Sequence, residues 1–265
     1  MAKQQPMNIA SLIDPVTAQG GNVTISDADK WMQGRTLYGG ASALVAYTAV
    51  QRAFSDLPPL RAAQIGFVGP VGESFEIRRE IVRQGRNVTQ VRSELVGEKG
   101  VLLTALWLFG KGREPNALHA AERPEDWPGP PGQSEDAMSG KGPAFITENF
   151  EIRRAQDERG PGKPIVRRWA RLTDRETLDP VSLVILMGDV LPPGAMRAMQ
   201  RQGPLSSINW SFNLLDPEPT TKDGWWLAEA ACQHADDGYS SERLRLWNVE
   251  GKQVLDGMQS AAIFG

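Results

Sequence analysis

The sequence holds a single cysteine, Cys232, among 265 residues. One thiol excludes an intramolecular disulfide framework and any cluster of thiolate metal ligands. Histidine is nearly as scarce: His119 and His234 lie far apart and outside any metal-ligand spacing. No thiolate cluster and no histidine metal site is therefore expected. Long apolar runs are missing too, since no window approaches the ~20 apolar residues that cross a membrane. The start, MAKQQPMNIASLIDPV, lacks the apolar centre of a signal peptide. A cytoplasmic protein with no membrane partner is expected. Basic charge is not in excess, with 29 Lys and Arg against 32 Asp and Glu and a net charge of -3. No positive field draws a phosphate backbone, so nucleic acid is not an expected partner.

What is present fits a folded chain with a sizeable core. Hydrophobic residues make up 40% and charged residues 23%, and the length allows one large domain or two of ordinary size. The 27 Gly and 19 Pro imply many turns, as in a strand-rich protein. Asn22 to Ile25 reads as a short strand, followed by a loop with Gln33, Gly34 and Arg35. Tyr38-Gly39-Gly40 then opens a helix from Ala41 to Phe54, small and apolar on most faces. Paired glycines at a helix start let another backbone or a ligand approach the free N–H groups, so close packing and ligand binding are both open. The spacing matches neither a dinucleotide fingerprint nor a phosphate-binding loop. Four strands follow: Arg61 to Phe67, Glu73 to Gln84, Asn87 to Val96 and Val101 to Phe109. Alternation is plain in Val88, Gln90, Arg92 and Glu94 against Thr89, Val91, Ser93 and Leu95. The short turns between the strands predict an antiparallel sheet.

From Gly110 to about Pro143 the composition shifts to Pro, Gly and charge. This stretch is longer than the ~12–15 residues usual for a loop inside a domain, and it reads as a linker. His119 and Glu122 within it read as solvated. The expected division is 1–112, a linker over 113–143, and 144–265. Beyond the linker the pattern recurs, with strands over Phe145 to Arg153 and Ile165 to Leu172 and then a second apolar helix. Strands over Ser207 to Leu215, Trp225 to Gln233, Ser240 to Trp247 and Gln253 to Phe264 complete it. Phe67-Val68-Gly69-Pro70 matches Leu214-Leu215-Asp216-Pro217 in place, and Phe109-Gly110 matches Phe264-Gly265. The chain reads as a duplicated unit of about a hundred residues, each an α+β layer pair with its sheet curled round a helix. Two such units can pair about a pseudo-twofold axis with their sheets continuous, which removes two open strand edges.

The second helix carries the most informative residue. Leu183 to Met187 offers water almost no polar face, and the helix then meets Gly188-Asp189 before Pro192-Pro193. Asp189 thus ends a core helix, and a buried carboxylate needs partners. The first helix ends in AVQRAF and has no carboxylate there, so one site per chain is expected.

A helix wrapped by an antiparallel sheet, duplicated in one chain, resembles the double hotdog fold. The YGG–helix start, the helix ending in Asp, a strand beginning Ser-Ile-Asn and a last strand carrying Gln resemble the TesB-like acyl-CoA thioesterases. The resemblance covers most of the chain apart from the linker. It implies hydrolysis of an acyl-CoA thioester by direct attack of water, with no metal or prosthetic group, Asp189 as base, and Ser207 and Gln259 fixing the water. Gly39 and Gly40 are the implied oxyanion and substrate-binding groups. Ser207 replaces the Thr of better-known members, and Asn209 and Trp210 stand where those usually have Asp and His. A basic run, Arg153, Arg154, Arg167, Arg168 and Arg171, is a candidate for the phosphates of coenzyme A, against the ordinary reading of solvated strand arginines. Two other readings are a non-catalytic protein that binds acyl or aromatic ligands and a hotdog enoyl-CoA hydratase. The hydratase needs an Asp–His pair, and His234 is far from Asp189 in sequence. Exposed sheet edges leave a homodimer open.

Overall fold

The alternation in residues 88–95 is the pleat of a strand with one face on a helix: Thr89, Val91, Ser93 and Leu95 are buried, and Val88 and Arg92 are exposed. The computed structural model describes residues 9–132, 142–156, 161–174 and 178–264. The first half holds α1 (Ala10–Ile13), β1 (Gly21–Thr24), a small hairpin of β2 (Met32–Gln33) and β3 (Thr36–Leu37), and α2 (Gly39–Ala53). Strands β4 (Leu60–Phe67), β5 (Ser74–Gln84), β6 (Val88–Gly97) and β7 (Gly100–Gly110) follow. The second half holds α3 (Ala144–Asn149), β8 (Phe150–Arg154), β9 (Ile165–Leu172) and α4 (Pro180–Gly188). It continues with β10 (Leu205–Leu214), β11 (Trp226–Asp236), β12 (Tyr239–Trp247) and β13 (Gln253–Ile263).

One eleven-stranded sheet runs through both halves in the order β1-β5-β6-β7-β4-β10-β13-β12-β11-β9-β8. Outward from the centre each half repeats the same sequence of strands, and the second adds β8 at its edge. The seam is the antiparallel pair β4–β10, from Gly66 opposite Asn209 to Ala62 opposite Asn213. The fold is therefore a double hotdog with continuous sheets. Helices α2 and α4 lie against each other inside the curled sheets, and every α2 residue from Gly40 to Val50 is buried. They pack antiparallel: Tyr38 and Gly40 at the start of α2 meet the end of α4, and Gln51 near the end of α2 meets Ser182 at its start.

Phe145 to Arg153 is not a strand throughout. Residues 144–149 form α3, and the strand begins at Phe150. Pro143 precedes the first turn of α3, and Asn149 closes it with a side-chain bond to the Phe145 carbonyl. Residues 111–132 form no helix or strand, and 133–141 lie outside the described residues. His119 and Glu122 are exposed. Asp126 pairs with Arg167 at 2.9 Å, and Trp127 meets Trp169 edge-on at 5.6 Å. This segment lies along the outer face of the second sheet and joins a cluster of Ala155, Trp169, Trp225, Leu227 and Trp247.

Candidate active site

The end of α4 is set by its own sequence. Asp179 caps its start, accepting from the Val181 and Ser182 N–H groups, with Pro180 in the first turn. Nine residues later Gly188 closes the helix, and Asp189 leaves it with φ -119° and ψ 25°. Gly188 is required by a neighbour, because a Cβ there would lie 2.6 Å from the Trp210 ring. On β13, a Cβ at Gly257 would lie 2.6 Å from the Ser211 oxygen and 3.1 Å from the same indole. Trp210 is fully buried between them and fixes how the α4 terminus meets the sheet.

Gln259 approaches from β13, buried to 2% exposure, and its amide donates to Asp189 Oδ1 at 2.7 Å. On the other side stands the start of α2. The Gly40 N–H faces the Asp189 carboxylate and favours its charged form, and Gly39 is so close that a Cβ would lie 2.1 Å from Asp189 Oδ2. The Gly40 N–H is thus directed toward the carboxylate. Burial pushes the Asp189 pKa up to about 7, against the opposing bonds from Gln259 and Gly40. Asp189 therefore changes charge near neutral pH, as a general base for water does.

Ser207 reaches the cavity through a β-bulge. Strand side chains alternate, so without a bulge Ser207 would face away from Trp210 and Phe212. The register of β10 against β13 skips Ile208: Ser207 stands opposite Ala261 and Asn209 opposite Ser260. The extra residue turns Ser207 to the inner face. Asn209 Oδ1 accepts the Ser260 N–H at 3.0 Å and so satisfies a donor at the bulge. Among the described residues the Ser207 hydroxyl makes no hydrogen bond, and Ser206 beside it is exposed.

Asp189, Gly39 and Ser207 line one cavity of about 1210 Å³ between the two hotdogs. Its inner wall is apolar, with Phe145, Phe150, Ile152, Val166 and Val190. Its exposed rim includes Arg35 in the β2–β3 hairpin, Val68 and Phe264. The pseudo-symmetric position, where the end of α2 meets the start of α4, has no such carboxylate. Phe54 stands after α2, and Asp179 uses its own side chain to occupy the N–H groups of α4.

The sequence matches a model described as acyl-CoA thioesterase N-terminal domain over residues 27–110 and one described as acyl-CoA thioesterase C-terminal domain over 115–263. The chain belongs to the acyl-CoA thioesterase family. Its enzymatic class is therefore thioester hydrolase. No curated protein matches its sequence at a significant level. Solved structures share the fold. A Thermobifida fusca protein assigned as a thioesterase II is 19% identical with a TM-score of 0.80, covering 100% of both chains. A hot dog protein of unknown function from Alicyclobacillus acidocaldarius is 19% identical with a TM-score of 0.78, covering 92% of each. The tesB protein of Mycobacterium avium subsp. paratuberculosis is 18% identical with a TM-score of 0.71, covering 94% of this chain and 97% of its own.

In this thioesterase the basic run divides between two faces. Arg153, Arg167 and Arg171 point outward and pair with Glu151, Glu229 and Asp126, and Arg153 and Arg171 lie over the Trp225 ring. Those three are committed to the outer surface. Arg154 and Arg168 stand opposite each other on the inner face, and Arg168 lines the cavity. Burial, then Arg154 and Arg197, push the Arg168 pKa down to about 10. His234 is exposed on β11 and does not line the cavity. Among the described residues no group of three or more His, Cys, Asp or Glu could hold a metal ion. No helix among them is long and apolar enough to cross a membrane. Two contributors were missed in the sequence. The Asp179 cap was available from its place before Pro180, three residues ahead of Ser182. The role of Phe145 was not, because the α3 turn was read as strand.

Proposed function

We propose that this chain hydrolyses acyl-CoA thioesters by direct attack of water, with Asp189 as the general base. The observation that carries the reading is the environment of Asp189: a carboxylate titrating near 7, held by Gln259 and Gly40, at the wall of a large apolar cavity. Asp189 takes a proton from water as the water oxygen bonds to the thioester carbonyl carbon. Gln259 fixes the carboxylate, and the Ser207 hydroxyl orients the water. The C–S bond then breaks as Asp189 passes that proton to the sulfur, which leaves as the coenzyme A thiol, and the acyl group departs as a carboxylic acid. The carbonyl oxygen gains negative charge on the way, and the start of α2 at Gly39, which lines the cavity, offers a fixed positive dipole.

Thiol release from a panel of acyl-CoAs of different chain length tests the proposal. The wild-type chain is expected to release thiol, and Asp189→Asn to lose ~10²–10⁴-fold in kcat, the usual worth of a general base. Asp189→Asn with wild-type turnover would sink this mechanism.

A further inference from the structure

Tyr38 belongs to the first hotdog, yet it takes hold of the helix that carries the base in the second. Its hydroxyl donates to the Leu186 carbonyl at 3.0 Å, fully buried. Leu186 lies in the last turn of α4, where carbonyls have no partner within the helix. Two residues beyond Tyr38, the Gly40 N–H faces the Asp189 carboxylate and favours its charged form. One three-residue stretch thus meets the end of α4 twice, once through a side-chain hydrogen bond and once through close backbone approach. The approach leaves no slack, because a Cβ at Gly40 would lie 2.5 Å from the Leu186 oxygen. The far face of the Tyr38 ring is fixed as well. It stacks on Phe145 at 4.2 Å and 13° and meets Phe150 edge-on at 6.0 Å, and both phenylalanines line the cavity.

We infer that Tyr38 is a positioning residue for the base: it holds the α4 terminus where Asp189 meets Gly40 and Gln259, and it ties that setting to the acyl-cavity wall through Phe145. The inference deepens the thioesterase reading and rests on it. The hydroxyl is available as a donor across the working range. Burial, and then the Asp189 charge, hold its pKa well above the usual tyrosine value. An unheld α4 terminus would draw Asp189 away from the Gly40 N–H, which favours the charged carboxylate.

Tyr38→Phe in the full chain keeps the ring and its stacking and removes only the hydroxyl. Its kcat on acyl-CoA is expected to fall about tenfold with KM changed less than about twofold, the pattern of a lost transition-state arrangement. The pH midpoint of kcat is expected to move upward from about 7. A purely structural hydroxyl would lower Tm and leave both readouts in place. Amide hydrogen exchange at Gly40 reads the same clamp without turnover and is expected to quicken about tenfold in Tyr38→Phe. If Tyr38→Phe does not fold, Phe145→Leu removes the stacked ring instead and is expected to shift midpoint and exchange in the same directions. Unchanged kcat, midpoint and Gly40 exchange in the folded variant overturn the inference. Wild-type and Asp189→Asn chains run beside it separate the failures. A wild-type chain that releases no thiol counts against the thioesterase reading, and the exchange rate then decides Tyr38. An inactive Asp189→Asn beside an unaltered Tyr38→Phe counts against Tyr38 alone.

Discussion

At the scale of single residues, the charge state of Asp189 links catalysis to stability. Only the ionised carboxylate can take a proton from water, so kcat is expected to rise with pH through about 7 and level off above it. A pH–rate profile without an inflection between about 6 and 8 would exclude Asp189 as the titrating base. The stability consequence has the opposite sign. The folded-state pKa lies above the unfolded value, so the stability tied to the protonated form is complete below about 4 and is lost as pH rises through about 7. Asp189→Asn carries no such charge. Its stability relative to wild type is expected to improve by about 1–3 kcal/mol between pH 4 and pH 8, measured by denaturant unfolding. A base that weakens its own fold when ionised is what a buried carboxylate with only two strong donors should be.

At the scale of elements, close approach decides which residues may change. Gly39→Ala would place a Cβ 2.1 Å from Asp189 Oδ2 and 2.8 Å from the Phe67 ring, so the carboxylate must move. Turnover is expected to drop by about 10²-fold with the fold retained, since a misplacement of about 1 Å can cost that much. Gly188→Ala drives into the Trp210 indole and is expected to cost about 1–3 kcal/mol of stability, read as a lower denaturation midpoint. These contacts also mark what was legible in the sequence. Helices α2 and α4 and strands β4 to β7 and β9 to β13 announce themselves by apolar periodicity and by Gly or Pro punctuation, and the duplication fixes their order. Asp189 was legible because a core helix has no reason to end in a carboxylate. The Ser207 bulge was not, because a one-residue register slip leaves no trace in a run such as Leu205-Ser206-Ser207-Ile208-Asn209. The α3 turn was hidden for a related reason: Phe145 to Arg153 is short and apolar enough to suit either periodicity. The arginines stayed open because neighbours such as Arg167 and Arg168 take opposite faces of a strand, and which of the two faces the cavity depends on packing rather than on local sequence.

At the scale of the whole molecule, the site exists only because two sheets join. Asp189, Ser207 and Gln259 come from the second hotdog, and Tyr38, Gly39 and Gly40 from the first. The β4–β10 seam and the antiparallel α2–α4 contact bring them together. Residues 1–112 and 113–265 produced as separate chains are each expected to release no thiol, and activity from either piece alone would contradict a site shared between halves. The Asp179 cap gives this duplicated architecture a direction. The molecule has two poles of one geometry, and a carboxylate meets a helix start at both. At one pole the acid comes from the neighbouring helix and faces a cavity; at the other it comes from the same helix and faces its own backbone. Mutational tolerance should split accordingly. Substitutions over 38–40 would be selected on turnover, and those over 179–182 on folding alone, so the two halves of an inherited symmetry answer to different constraints.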